Sequence, residues 1–194
     1  MRGMDTVEIT AGRLHLRPFR LSDAPAVYAA CQDPEIQRWT AVPSPYREED
    51  ARGFVEDFSA HEWDSGRGAV FAILDAADGT LLGNVSLSKL DRSSGLAEVG
   101  YWTAAHARGR GVMTQAVGVV CRWAFAERDR ERIEWLAGVG NVASRRVAEK
   151  AGFTIEGVLR SRLVLNGERT DAWIGSLLRT DITGPVRGAT DPVR

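Results

Sequence analysis

Arg108, Gly109, Arg110 and Gly111 stand in a row, and a stretch of helical character begins directly behind them. Glycines let a backbone turn without a Cβ clash and come close to a ligand. A helix opening near Gly111 presents amides that no earlier turn can pair, at the positive end of its dipole. Val112, Met113 and Thr114 supply the amides of that first turn. Such an end takes up phosphate, and Arg108 and Arg110 add charge beside it. The chemistry implied is a cradle for a pyrophosphate. The same residues equally suit a plain glycine-rich turn with solvated arginines, and spacing alone does not separate the two.

Other chemistries find less support. There is no G-x-x-x-x-G-K-[ST], and Thr at position 114 rules out G-x-G-x-x-G. His15, His61 and His106 are scattered with no second ligand at metal spacing, so no metal centre is expected. No G-x-S-x-G elbow is present for a hydrolase nucleophile, and no metal-holding Asp and phosphate Lys for a kinase. Trp39, Trp63, Trp102 and Trp135 suit a core as well as a cleft lining.

The elements that must position the turn follow from hydrophobic period and punctuation. Residues 13–20 alternate as an opening strand. Ser22-Asp23 reads as an N-cap for APAVYAACQ, and Asp33-Pro34-Glu35 opens a second short helix with proline at its first position. A third helix runs through ARGFVEDFSAHEW, with Phe54, Val55 and Phe58 expected on one face. AVFAILD is a buried strand, Asp78-Gly79 a hairpin turn, and LLGNVSLSKL and LAEVGYWT two further strands. Helical spacing then holds from Gly111 to about Glu127. IEWLAGV is a strand, residues 143–151 a short helix stopped by Gly152, and Asn166-Gly167 the turn of a closing hairpin. The sum is an α+β domain over residues 1–180, with a mixed, largely antiparallel sheet of about seven strands, and a loose tail over residues 181–194.

Composition agrees with one packed domain. The 194 residues are 44% hydrophobic with six Trp, and the net charge of -1 points to neither nucleic acid nor an anionic membrane. Lys89 and Lys150 are the only lysines among 25 basic residues, a bias that suits phosphate recognition or a GC-rich genome. Cys31 and Cys121 form no disulfide framework, and no apolar run approaches bilayer length, so a cytoplasmic location is expected.

R-G-R-G-V-M, residues 108–113, resembles the acyl-CoA pyrophosphate loop of the GNAT N-acetyltransferases, [QR]-x-x-G-x-[GA]. Met113 departs from the usual small residue. LAEVGYWTAAHARGRGVMTQAV, GNVASRRVAEKAGFTIEGVLR, RLHLRPFRLSDA and DPEIQRW are similar to the ribosomal-protein-alanine N-acetyltransferase branch. The resemblance implies a sheet splayed between its fourth and fifth strands, where acetyl-CoA lies along Val99, Gly100 and Tyr101. It implies Glu98 as general base, acting through a water. The tyrosine of the family's Y-E-K-x-G-F is replaced by Ala148, so Ser144 becomes the implied acid and Asn141 and Arg145 further cofactor contacts. Helix capping is the plainer role for Asn141 and Ser144.

The activity implied is acetyl transfer to an amine, with the α-amine of a protein or peptide as acceptor. Trp39, Tyr46 and Glu49 are the candidate acceptor contacts, and packing or solvation is the plainer account of each. A small amine (polyamine, amino sugar or antibiotic) or a non-catalytic acyl-CoA-binding module are the alternatives. The exposed closing hairpin makes a homodimer conceivable by fold analogy.

Overall fold

The structure is a computed structural model, and it describes residues 4–90 and 94–182. Among the described residues eight strands form one sheet: β1 (Ile9–Ala11), β2 (Leu14–Pro18), β3 (Ala69–Asp75), β4 (Leu81–Ser88), β5 (Leu96–Thr103), β6 (Arg132–Gly138), β7 (Thr154–Leu165) and β8 (Glu168–Leu178). Their order across the sheet is β1-β2-β3-β4-β5-β6-β8-β7. Every neighbouring pair is antiparallel except β5 and β6. The expected count of seven is exceeded by β1, whose three residues are too few to show a period of two.

Six α-helices among the described residues accompany the sheet: α1 (Ala24–Cys31), α2 (Pro34–Trp39), α3 (Glu48–Gly53), α4 (Ala60–Ser65), α5 (Val112–Glu127) and α6 (Val142–Lys150). β3 is buried along nearly its whole length because it serves two cores. Ala69, Phe71 and Ile73 pack with α5 and with Trp63 of α4. Val70, Ala72 and Leu74 pack on the other face with Val27 of α1 and Ile36 of α2. Phe71 meets Trp63 and Trp123 edge-on at centroid distances of 5.0 and 5.6 Å, which seats α4 and α5 on the sheet.

Two local expectations need correction. Phe54, Val55 and Phe58 do not share a buried face: Val55 is buried, whereas Phe58 is 52% exposed. Residues 54–59 are wound as a π-helix, so the 3.6-residue period loses its phase there. Asp23 does not cap α1 with its side chain, because its carboxylate serves the preceding turn. The tail expected from residue 181 lies outside the described residues, apart from Asp181 and Ile182.

That carboxylate accepts from the Arg20 amide at 2.8 Å and takes the Arg17 guanidinium at 2.7 and 2.9 Å. Burial pushes the Asp23 carboxyl up, but the Arg17 and Arg20 bonds more than offset it and hold it below the usual carboxylate range. The pair therefore contributes in full above that range and is lost as acid protonates Asp23. Asp23→Asn is expected to lower stability by about 3 kcal/mol in urea unfolding at neutral pH, because Arg17 is left buried with half its partner. A change below about 1 kcal/mol would mean that water already reaches the pair.

Candidate active site

β5 and β6 pair only where residues 96–99 face residues 132–135. Beyond that point each strand keeps its outer neighbour: residues 100–103 stay paired with β4, and residues 136–138 with β8. The strands part like a fork, and backbone groups along its inner edges lack the partners a closed sheet would give. Val99 closes the fork's base from the α5 core, while Gly100 is exposed and Tyr101 half-buried. The fifth and sixth strands here are the fourth and fifth of the sequence expectation, displaced by the extra β1.

The chain leaves β5 through a 3-10 turn at Ala105–Ala107 and enters α5 through the glycine turn. Gly109 and Gly111 both take φ of 74°, and a Cβ added at either would meet nothing within 4 Å. Glycine is needed here for its backbone, and the turn is open on that side. The Gln115 amide donates to Gly111 at 3.0 Å, opening the helical ladder. The amides of Val112, Met113 and Thr114 precede it and have no helical acceptor. Met113 fits because its side chain turns into the core, where its terminal methyl lies 3.4 Å from the site of an added Cβ on Gly83. Arg110 is exposed on the turn.

Arg108 has contacts that its neighbours in sequence do not announce. Its guanidinium meets Asp33 with both nitrogens, at 3.0 and 3.1 Å, and its Nε donates to the Thr103 carbonyl at 3.2 Å. The guanidinium is thus paired with a carboxylate beside the turn. Arg108 in turn holds the Asp33 carboxyl below the ordinary range, against the opposing effect of burial.

Glu98 stands one residue before the fork opens, on the face that carries Trp102 and the α1–α3 core. Its Oε2 accepts from Lys89 Nζ at 2.5 Å, a partner sequence reasoning missed. Both side chains are about a quarter exposed. Glu134 lies opposite on β6 and pairs with Arg132 at 3.0 Å, so the two facing carboxylates each have a cation.

On the opposite face three polar groups join the strands. Trp135 Nε1 donates to Ser144 Oγ at 3.1 Å, Ser144 Oγ donates to the Tyr101 hydroxyl at 3.1 Å, and that hydroxyl donates to the Ser144 carbonyl at 2.9 Å. Burial pushes the Tyr101 phenol well above its usual range, so it stays neutral. Ser144 sits in the first turn of α6, where Asn141 Oδ1 accepts from its amide at 3.1 Å. Asn141 is therefore the N-cap of α6, as capping preference suggests. Arg145 bonds Glu149 at 2.9 Å and lies 4.9 Å over the Trp173 ring.

The three candidate acceptor contacts have different surroundings. Trp39 is half-buried beside the fork, its ring 3.3–3.5 Å from where Cβ atoms on Gly138 and Gly140 would stand. Tyr46 is buried in the α1–α3 core, with its hydroxyl against Cys31 and its ring stacked on Tyr28, so it lines no cleft. Glu49 is exposed in the first turn of α3, beside Arg47. Tyr46 belongs to the core because the loop before α3 folds inward, which no local pattern announced.

A profile of the Acetyltransferase (GNAT) domain matches residues 13–154. YdaF of Bacillus subtilis (strain 168), provisionally named a ribosomal N-acetyltransferase, is 40% identical over 107 residues, 55% of this chain and 58% of YdaF. The alignment therefore spans less than two thirds of that relative. Mycobacterium smegmatis RimJ, solved with CoA-disulfide, superposes with a TM-score of 0.81 at 23% identity, covering 95% of this chain and 93% of RimJ. The microcin C7 self-immunity acetyltransferase MccE, solved with acetyl-CoA and AMP, gives 0.77 at 24%, covering 87% and 93%. Those two likenesses are of fold. With the forked sheet and the family profile over most of its length, the chain belongs to the GNAT acetyltransferases.

Proposed function

We propose that this chain transfers an acetyl group from acetyl-CoA to the α-amine of a protein or peptide. The observation that carries the reading is the junction of the parted strands with the open glycine turn heading α5. Amides of residues 109–114 would hold the diphosphate, and the inner edge of β5 at Val99, Gly100 and Tyr101 would bond the pantetheine arm. Acetyl-CoA supplies an activated thioester. Glu98 takes the proton of the incoming amine, through a water, from the face opposite α5. Ser144 gives its proton to the departing thiolate, which requires its hydroxyl to rotate away from Tyr101. The name of YdaF supports a ribosomal-protein acceptor.

Incubation of the protein with acetyl-CoA and a mixed library of peptides and small amines, read by mass spectrometry, tests this. Acetylated peptide N-termini are expected. Acetylation confined to small amines would reassign the acceptor, and absence of any CoA thiol release would leave only a binding module. Ser144→Ala is expected to lower kcat ten- to hundredfold. An unchanged kcat with a lower Tm would leave Ser144 as a structural link between Trp135 and Tyr101.

A further inference from the structure

We propose that Arg108, Asp33 and Trp39 are positioning residues: α2 is a brace across the fork that sets the separation of β5 and β6. Its first anchor is at the end of β5, where Arg108 holds the Thr103 carbonyl with Nε and Asp33 with both terminal nitrogens. Asp33 is also the N-cap of α2, accepting from the Glu35 and Ile36 amides at 2.9 and 3.2 Å. The second anchor is at the end of β6. There the Trp39 ring, at the last residue of α2, lies against Gly138 and Gly140, 3.3–3.5 Å from where their Cβ atoms would stand. Trp39 is itself held by a bond from Nε1 to Glu35 at 3.1 Å and by Arg38 over its ring at 4.7 Å.

The dimensions agree with that role. Six helical residues rise about 9 Å, roughly twice the 4.8 Å between paired strands. An element of that length anchored on both strand ends holds them further apart than a ladder would. The Tyr101–Ser144–Trp135 bonds tie β5, β6 and α6 together on the other face, so the opening is fixed from both sides. A bidentate arginine–carboxylate pair has the directional rigidity this requires. Resting on the proposed reading of the fork as the thioester channel, the brace sets how the acceptor amine meets Glu98. It also moves Arg108 from phosphate ligand to scaffold.

Arg108→Met, Asp33→Asn and the double variant test this in the full chain. Asn still caps a helix, so Asp33→Asn keeps α2 while removing the charged pair. Hydrogen exchange without any ligand reads the far anchor at the amides of Val139, Asn141 and Val142, which bond Asp171, Gly138 and Gly140 at 2.9, 3.0 and 2.8 Å. Both single variants are expected to speed exchange there about tenfold, and the double no further. CoA affinity by calorimetry is expected to stay within about threefold, while kcat/KM for the acceptor peptide falls about tenfold. Unchanged exchange at residues 139–142 in both variants would overturn the brace. So would an Arg108→Met loss of CoA affinity that Asp33→Asn does not share, since Arg108 would then be a phosphate ligand. Failure of the unsubstituted protein to bind CoA would sink the acetyl-CoA reading alone, because the exchange measurement needs no ligand.

Discussion

Gly111→Asp abolishes measurable CoA binding, an expected loss of about a thousandfold, or roughly 4 kcal/mol. Two effects act together, and they are separable. The first is conformational: Gly111 has φ of 74°, a region that costs an ordinary residue about 1–2 kcal/mol and Asp or Asn less. The second is electrostatic. The position is open, with nothing within 4 Å of an added Cβ, so the new side chain is not rejected by the fold. It instead places a carboxylate where the amides of Val112, Met113 and Thr114 would meet a diphosphate. Gly111→Asn carries the same shape and nearly the same backbone cost without the charge, and is expected to lose only about tenfold. Calorimetry with CoA on the two variants isolates the electrostatic share. Equal losses would mean that the turn is merely strained, and no loss in either would remove the cradle.

Much of this arrangement was legible in the sequence where local rules operate. The order of strands and helices, the Asn166-Gly167 hairpin, the cap at Asp33 and the opening of α5 behind Gly111 each rest on residues within one turn of each other. What was illegible depends on residues brought together from afar. Arg108 and Asp33 are 75 positions apart, and two conflicting uses for an arginine beside a glycine turn look identical in sequence. Tyr101 and Ser144 are 43 apart, so the bond between them has no period to betray it. Lys89 is near Glu98 in sequence but reaches it only because β4 and β5 pair Ser88 with Glu98. Met113 departs from the family's small residue, and only the fold shows that its side chain is buried in the α5 core. The family resemblance implies the fork and the turn, whereas the bonds of Arg108, Tyr101 and Ser144 around them join residues far apart in the chain.

Glu98→Gln is expected to lower kcat about a thousandfold, near 4 kcal/mol in the barrier, with CoA affinity within about threefold. Gln matches Glu in shape and still accepts a hydrogen bond, so the substitution removes charge and basicity at one position. Glu98 lies on the face opposite the glycine turn and one residue before the strands part, which is why cofactor binding is spared. The competing account is structural. Glu98 accepts from Lys89 at 2.5 Å, and loss of that pair could weaken the fold instead of the reaction. Magnitudes separate the two. With both groups about a quarter exposed, the pair contributes on the order of 1 kcal/mol. A protein of ordinary stability loses almost none of its folded population to such a change. Lost stability alone therefore leaves kcat nearly intact and lowers Tm, whereas loss of a general base collapses kcat in a protein that remains folded. Turnover of Glu98→Gln close to that of the unsubstituted protein, with Tm reduced, would leave Glu98 as the partner of Lys89 and move the base elsewhere.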